Sequence, residues 1–136
     1  MKTKLLDTEY KYTGDQLAPH WIYKNYKMQG DAIVGFYGEC DVKLTEMVDI
    51  EDVINSEPIY SKSMLSFIIE QFNIGLVEGV VRQRLFISII KESIEKRLDM
   101  SKHKIERRGD DIYVDGYKMS VSIATKSVTS VLIHTG

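Results

Sequence analysis

A lysine and an aspartate flank a predicted turn near the end of the sequence. Asp115-Gly116 separates two short apolar runs, which is typical of a β-hairpin. Lys118 would place an ammonium group on the returning strand, where it could bind a carboxylate or a phosphate. Asp111 could hold that lysine or a metal ion, and Gly109 would let the backbone approach a ligand closely. A plain surface hairpin with scattered charges would produce the same pattern.

Four arginines could clamp a phosphate through bidentate hydrogen bonds. They are Arg82, Arg84, Arg107 and Arg108. Arg82 and Arg84 are two residues apart on a predicted helix, so they point to different faces and at most one meets a given ligand. Arg84 shares the apolar stripe of Val77 and Val81, where a charge needs a partner. A structural ion pair is therefore the alternative role for it.

Two carboxylates flank the single cysteine at the polar end of a predicted buried strand. Glu39 and Asp41 project to the same side of an extended chain, and such a pair could hold Mg²⁺. An acidic loop also explains them, because further acidic residues follow. Cys40 is a weaker candidate as a nucleophile, since no histidine lies at a spacing typical of a catalytic triad.

Two histidines adjoin candidate pockets. His20 and Trp21 could line a pocket from a predicted helix, although a core tryptophan beside a surface histidine is the alternative. His134 on the last predicted strand could face the same site as Lys118. Periodicity does not fix its direction if a β-bulge intervenes.

Hydrophobic periodicity predicts the elements that position these residues. Helices are predicted at 16–27, 50–55, 62–73 and 76–98. Strands are predicted at 32–37, 112–114, 117–124 and 128–134. Because the helices mostly precede a three- or four-stranded antiparallel array, the predicted fold class is α+β, a mainly antiparallel sheet flanked by helices.

The composition limits the functional classes. The 136 residues are 43% hydrophobic and 28% charged, enough for a single domain over 1–136 with one core. One cysteine excludes an internal disulfide and a Cys-rich zinc site. A net charge of -2 gives no general reason to expect nucleic-acid or membrane binding.

Location and length are also predicted from the sequence. No apolar run is long enough for a signal core or a bilayer span, so we expect a cytoplasmic protein. The abrupt stop after an apolar strand predicts that a longer parent protein continues beyond Gly136.

Residues 109–136 resemble the biotin protein ligase and lipoate ligase superfamily. Asp111-Ile-Tyr-Val, a turn, and Lys118-Met-Ser-Val-Ser-Ile match its apolar strand, turn and lysine followed by small residues, here Ser120 and Ser122. In those ligases the matching lysine contacts the substrate carboxylate and the adenylate phosphate. The resemblance thus implies that Lys118 stabilises negative charge at an α-phosphoryl group. Asp110 replaces the ligases' asparagine, and their Gly/Arg-rich substrate loop is not recognisable.

Nearly the whole sequence is similar to the domain of unknown function 366 family, found mainly in archaea. The matching segments include His20-Trp21, Gly38-Glu39-Cys40-Asp41-Val42, Arg82-Gln83-Arg84-Leu85 and Gly109-Asp110-Asp111-Ile112. This resemblance implies a biotin/lipoate ligase-like fold and an adenylate-forming or acyl-transferring ancestor. The cofactor stays open, with ATP and Mg²⁺ as the candidates.

The sequence leaves more than one function open. The leading hypothesis is a pocket for a small anionic acyl or nucleotide ligand, with acyl-adenylate or acyl-transfer chemistry. The alternative is a non-catalytic binding or oligomerisation module, in which an edge strand at 128–134 pairs with a second copy as a homodimer. RNA association through the basic run at 102–108 ranks last, because four cations give only weak, salt-sensitive attraction.

Overall fold

The computed structural model describes residues 1–48 and 59–136 of the chain. These ranges contain two α-helices, Trp21–Tyr26 (α1) and Leu76–Glu95 (α2), and a 3-10 helix at Leu44–Glu46. Their eight strands are Lys2–Leu5 (β1), Ala32–Val42 (β2), Ile59–Phe72 (β3), Ile105–Arg108 (β4), Asp111–Val114 (β5), Tyr117–Lys118 (β6), Ser122–Lys126 (β7) and Ser130–Thr135 (β8). The helix predicted at 50–55 lies outside the described residues.

The strands form two sheets. Five of them make a mixed sheet in the order β1-β2-β3-β8-β7, with β1 parallel to β2 and the other neighbours antiparallel. The strands β4, β5 and β6 make a small antiparallel sheet. With helices packed beside these sheets, the predicted α+β class is confirmed. Neither helix of the described ranges has the length and apolar character needed to cross a bilayer.

The large sheet carries a hydrophobic cluster on each face. On one face, Ile68 packs with Ile22 of α1 and with Tyr12 of the N-terminal segment. On the other face, Ile69 packs with Phe86 of α2. Since neighbouring residues of a strand point to opposite faces, β3 contributes to both clusters.

The small sheet packs on the same helix as the large sheet. Ile105 of β4 and Ile112 of β5 form a third cluster with Ile87 of α2, and all three side chains are buried. Because α2 contacts both sheets, it fixes the small sheet relative to the large one.

The helix predicted at 62–73 is wrong, since residues 62–72 belong to β3, which ends at Phe72. The strand is covered on both faces near its end, where Ile68 and Ile69 are both buried. A strand buried on both faces shows a continuous apolar run without alternation, and periodicity does not distinguish such a run from a buried helix.

The helix predicted at 76–98 is confirmed as α2, which ends at Glu95 and packs on the buried clusters through Phe86 and Ile90. One apolar row is open to solvent, with exposed fractions of 81% for Val77, 62% for Val81, 60% for Leu85 and 49% for Ile89. The buried face instead contains Gly79, Gln83 and Ile87. The stripe assigned to Arg84 is therefore a surface stripe, and the argument that its charge needs a buried partner is wrong.

The last strand is central, so the predicted edge at 128–134 is wrong. β8 pairs with β3 on one side and with β7 on the other, and each of its six residues is buried. The edges of the large sheet are β1 and β7. β8 therefore offers no free edge to a second copy, and a homodimer through another surface stays a prediction.

Several boundaries also differ from the predictions. The strand predicted at 32–37 continues to Val42, so the expected polar tip at 38–41 is part of β2. The helix predicted at 16–27 is confined to α1, and the strand predicted at 117–124 is divided between β6 and β7. β1 was not predicted because its residues, all exposed, lack apolar alternation.

Gly79 allows α2 to pack closely on β8. A Cβ atom built on Gly79 would lie 2.5 Å from Cγ1 of Val131, which is itself buried. Alanine favours a helix over glycine by about 1 kcal/mol, but overpacking costs about 1–3 kcal/mol. Because a 2.5 Å approach is far inside van der Waals contact, we take the upper part of the overpacking range, about 2–3 kcal/mol. After the helix-propensity gain, Gly79→Ala should lower the free energy of unfolding by about 1–2 kcal/mol in urea denaturation.

The matched control is Gly75→Ser at the N-cap of the same helix. A Cβ atom there meets nothing within 4 Å, and serine is a preferred N-cap residue. This control should retain or slightly increase stability. A Gly79→Ala variant as stable as the wild type would contradict the close approach of α2 to β8.

Candidate ligand-binding site

The predicted hairpin turn at Asp115-Gly116 is confirmed. Both residues have positive φ, 52° for Asp115 and 84° for Gly116, which is the geometry of a two-residue type I′ turn. The turn connects β5 to β6 and places Tyr113 opposite Lys118. Asp115 also accepts a 2.8 Å hydrogen bond from the backbone N–H of Lys104, so the turn is anchored to the start of β4.

Lys118 and Asp111 lie on the face of the small sheet that points away from α2. Side chains alternate along β5, and Ile112 packs on α2. Asp111 and its cross-strand partner Arg108 therefore occupy the opposite face. Lys118 shares that face because its register partner is Tyr113.

We call this surface the charged hairpin face; it consists of Arg108, Asp111, Tyr113, Lys118 and Glu106. Lys118 Nζ lies 3.3 Å from Asp111 Oδ1. The Arg108 guanidinium lies 4.2 Å from the ring centroid of Tyr113 and 2.9 Å from the Glu106 carboxylate. The side chains of Lys118 and Arg108 are 49% and 55% exposed, so an incoming anion can reach both cations.

The arginines of α2 take different positions relative to this hairpin. Arg84 approaches the turn between β4 and β5, since its Nη2 is 3.9 Å from a Cβ atom built on Gly109. Gly109 has a φ of 65°, which favours glycine, and its carbonyl accepts a 2.6 Å hydrogen bond from Arg107. Arg82 forms an ion pair with Glu78 one helical turn earlier.

A buried glutamine connects the small sheet to the large sheet. Gln83 is 2% exposed, and its Nε2 donates to Oδ2 of Asp110 at 3.1 Å and to Oγ of Ser122 at 2.9 Å. Ser122 Oγ also lies 3.1 Å from the His134 carbonyl and 2.9 Å from Thr135 Oγ1. We call these four side chains, Gln83, Asp110, Ser122 and Thr135, the inter-sheet network.

Ser120 supports the hairpin from the interior. Its buried Oγ accepts a 2.8 Å hydrogen bond from the backbone N–H of Ile112. Met119 N–H donates to the Ile112 carbonyl at 2.8 Å, so β5 is tied to the segment that leaves β6. Ser120 and Ser122 thus hold the hairpin in place, while Lys118 and Asp111 lie on its outer face.

His134 lies on the opposite face of the large sheet from Ser122 and Thr135. In the register of β7 and β8, His134 pairs with Ile123, whereas Thr135 pairs with Ser122. The imidazole stacks on Tyr12 with ring centroids 3.7 Å apart, and its Nε2 is 3.3 Å from Ser66 Oγ. Burial lowers the pKa of His134 to about 3. His134 is therefore separated from Lys118 by the sheet itself.

Glu39 and Asp41 both point towards a lysine. Lys11 Nζ lies 3.6 Å from Glu39 Oε1 and 3.4 Å from Asp41 Oδ2. All three side chains are between 41% and 46% exposed. Over 1–48 and 59–136, no three His, Cys, Asp or Glu side chains converge as metal ligands. The acidic pair thus neutralises an ammonium group and, within these ranges, lacks a third protein ligand for Mg²⁺.

Cys40 is a buried thiol rather than an activated one. Burial, with a smaller contribution from the Asp41 carboxylate, raises the pKa of Cys40 to about 11. A thiol with this pKa is protonated at neutral pH, and the thiolate is the nucleophilic form. The alternative of nucleophilic catalysis by Cys40 is therefore not supported by its surroundings.

Trp21 belongs to an aromatic cluster beside α1. Its ring contacts Tyr10 and Tyr26 edge-on, with centroid distances of 6.1 and 5.5 Å. Phe36 of β2 completes the cluster. The tryptophan packs beside the core on the His134 face of the large sheet, away from the charged hairpin face.

These features define an α+β protein with a lipoate ligase-like fold and a charged hairpin. The crystal structure of P. falciparum LipL1 in complex with lipoate superposes with a TM-score of 0.57, covering 98% of this chain and 46% of that one at 11% identity. The chain belongs to the DUF366 family, a domain of unknown function whose family model matches residues 1–136.

Two archaeal proteins are much more similar in sequence. The uncharacterized protein MJ0805 of Methanocaldococcus jannaschii is 36% identical over 151 residues, which cover 100% of this chain and 66% of that protein. A solved protein of unknown function from Pyrococcus horikoshi is 37% identical, with a TM-score of 0.88 over 98% of this chain and 71% of that one. The chain thus spans about two-thirds of the length of the curated relative.

Gln83 and Thr135 are not among the residues predicted from the sequence. Gln83 stands between Arg82 and Arg84, and its burial depends on how α2 is oriented on the two sheets. One feature of the sequence does indicate this burial. Gln83 lies four residues before the apolar Ile87 and therefore shares its face of the helix. Thr135 gave no signal, because its partner depends on the pairing of β7 with β8.

The buried state of His134 predicts a pH-dependent loss of stability. Below its ordinary pKa of 6.5 the unfolded chain takes up a proton that the folded protein, with its pKa lowered to about 3, does not. Stability therefore falls as the pH decreases through this window. Between pH 7 and pH 5, the wild type should lose about 2 kcal/mol more than His134→Gln in urea denaturation.

The glutamine variant retains a group that can hydrogen-bond Ser66 but does not titrate. An equal loss of stability in both proteins would show that His134 is protonated in the folded state. An NMR titration of the imidazole provides an independent reading, because the folded wild type should show no protonation at pH 5.

Proposed function

We propose that the charged hairpin face binds the anionic group of an acyl or nucleotide ligand, with Lys118 as the principal cation. The observation that carries this proposal is the 3.3 Å contact between Lys118 Nζ and Asp111 Oδ1 on the outer face of the hairpin. The fold similarity to LipL1, a protein solved with a bound carboxylic acid, supports the same ligand class.

The charges of the hairpin suit a carboxylate or a phosphate. Asp111 forms an ion pair with the ammonium group of Lys118, and Glu106 forms one with the guanidinium of Arg108. Because these pairs fix both cations in position, neither needs to move far to bind a ligand. Arg108 can supply two parallel donors to one anionic group. Tyr113 lies between the two cations and offers a ring face to an apolar or heteroaromatic body.

The chemistry that this arrangement would serve is adenylate formation or acyl transfer. In adenylate formation a carboxylate oxygen attacks the α-phosphorus of ATP, the bond to the β-phosphate oxygen breaks and pyrophosphate leaves. Lys118 would stabilise the charge that develops on the α-phosphoryl oxygens. Mg²⁺ would arrive with the nucleotide, since it is commonly bound by substrate phosphates and only one or two carboxylates.

A surface ion pair of this exposure contributes little to folding. Half-exposed pairs stabilise proteins by about 0–1 kcal/mol. If Lys118 served only the hairpin, its removal would have small effects on both stability and binding. A role in ligand binding predicts a different result, in which affinity falls while stability is retained.

Calorimetric titration of Lys118→Ala with octanoate and with ATP·Mg²⁺ tests the proposal. We expect wild-type binding of at least one of these ligands and an affinity about tenfold or more lower in the variant, since hydrogen bonds to charged groups contribute about 1.5–3 kcal/mol. The unfolding midpoint should change by less than about 4 °C.

The control is Lys102→Ala, which removes a 75% exposed lysine paired with Asp99 outside the hairpin face. It should bind like the wild type. Equal affinities of wild type and Lys118→Ala for every ligand, or no binding of either ligand by the wild type, would refute the proposed role.

A further inference from the structure

A cavity lies at the far end of the large sheet, between α1 and the end of β3. It has a volume of about 520 Å³, and its lining includes His20, Tyr23, Gln29, Glu70, Phe72 and Asn73. His20 and Asn73 both have positive φ, 63° and 58°. Positive φ values place both residues in the left-handed region, which non-glycine residues seldom adopt. Such conformations cluster at ligand-binding and active sites.

A buried carboxyl group forms part of the cavity wall. Glu70 is 2% exposed. Its Oε1 accepts hydrogen bonds from His20 N–H at 2.9 Å and from the Ser130 hydroxyl at 2.6 Å, and its Oε2 lies 3.2 Å from the same N–H. A carboxylate has about four acceptor positions. Oε2 therefore retains the capacity to accept another donor.

Glu70 lacks a positively charged partner in the described part of the chain. Within residues 1–48 and 59–136, its hydrogen-bond donors are a backbone N–H and a hydroxyl, and it forms no ion pair with a lysine or an arginine. Buried charges in proteins are normally paired with an opposite charge. A cationic ligand would supply the charge that the protein itself does not place there.

Aromatic rings surround the same cavity. His20 stacks on Phe72 with ring centroids 5.7 Å apart. The Tyr23 ring already attracts a cation, since Lys27 Nζ lies 5.6 Å from its centroid, and that ammonium group donates to the Lys24 carbonyl rather than to Glu70. Aromatic faces attract ammonium groups and also pack against an apolar body.

We propose that this cavity binds a small molecule with a protonated primary amine, its ammonium group at Glu70 and its apolar part against Tyr23 and Phe72. The cavity is separate from the charged hairpin face. Glu70 contacts Ser130 at the start of β8, whereas the inter-sheet network contacts Thr135 at its end. These two positions are about 17 Å apart along an extended strand, so the two proposals stand or fall independently.

A purely structural role for Glu70 is the competing explanation. In that case the carboxylate only accepts the hydrogen bonds from the His20 N–H and the Ser130 hydroxyl, and it binds no ligand. A glutamine side chain can accept the same hydrogen bonds through its carbonyl oxygen but has no charge. Glu70→Gln therefore retains the structural role and removes the proposed ammonium partner.

The probe is 2-phenylethylamine, compared with 2-phenylethanol and 3-phenylpropionate as neutral and anionic analogues. In calorimetric titrations we expect binding of the amine and not of its analogues. Glu70→Gln should weaken amine binding about tenfold or more, whereas the exposed carboxylate control Glu39→Gln should bind like the wild type. Tyr23→Leu should weaken it about three-fold through loss of the ring.

NMR chemical-shift mapping on the wild type keeps the proposal testable if Glu70→Gln does not fold. The amine should perturb the signals of His20, Tyr23 and Asn73 first. Absence of amine binding, equal binding of the alcohol, full affinity in a folded Glu70→Gln, or shifts confined to other surfaces would each overturn the proposal.

Discussion

The buried side chain of Gln83 determines where the candidate hairpin lies. Its amide group has two hydrogens, and the structure uses one for Asp110 of the small sheet and one for Ser122 of the large sheet. Because Gln83 is almost fully buried, leaving either acceptor without its donor would cost about 1–3 kcal/mol. One side chain of α2 thus links two sheets that otherwise each pack on α2 through apolar contacts.

The proposed function of the hairpin depends on this support. Ile112 packs on Ile87 of α2, which holds the inner face of the small sheet, while Ser120 fixes the backbone of β5. The outer face is then free to carry charged groups. A cation that must meet developing negative charge is effective only if it is held in place before the ligand arrives. Ser120 and Ser122 follow the lysine of the ligase-like motif and were predicted to bind the ligand. In the structure, both serines form hydrogen bonds that hold the hairpin in place.

Local sequence signals predicted the elements whose contacts are local. The turn at Asp115-Gly116 follows from turn chemistry, and the existence of α2 follows from its apolar spacing. The fold class and the family resemblance were also predictable. The failures involve contacts between residues distant in sequence. β3 is apolar on both faces, so only its neighbours reveal it as a strand, and β8 is central because β3 and β7 enclose it.

In the candidate sites, too, contacts between residues close in sequence could be predicted and contacts between distant residues could not. The Lys118–Asp111 contact lies within one hairpin and could be predicted from spacing. The face occupied by His134 depends on the register of β7 with β8, which no local pattern fixes. The environment of Glu70 depends on His20, 50 residues earlier, and Ser130, 60 residues later. Sequence patterns therefore predicted the residue types of a site more reliably than the residues that meet there.

Native-state hydrogen exchange of a Gln83→Leu variant is the most direct measurement of the role assigned to Gln83. We expect the backbone amides of Ile112 and Met119 to exchange about tenfold or more faster than in the wild type, while the amides shared between β3 and β8 retain their protection. Unchanged exchange at Ile112 and Met119, or an equal increase throughout both sheets, would contradict this role of Gln83.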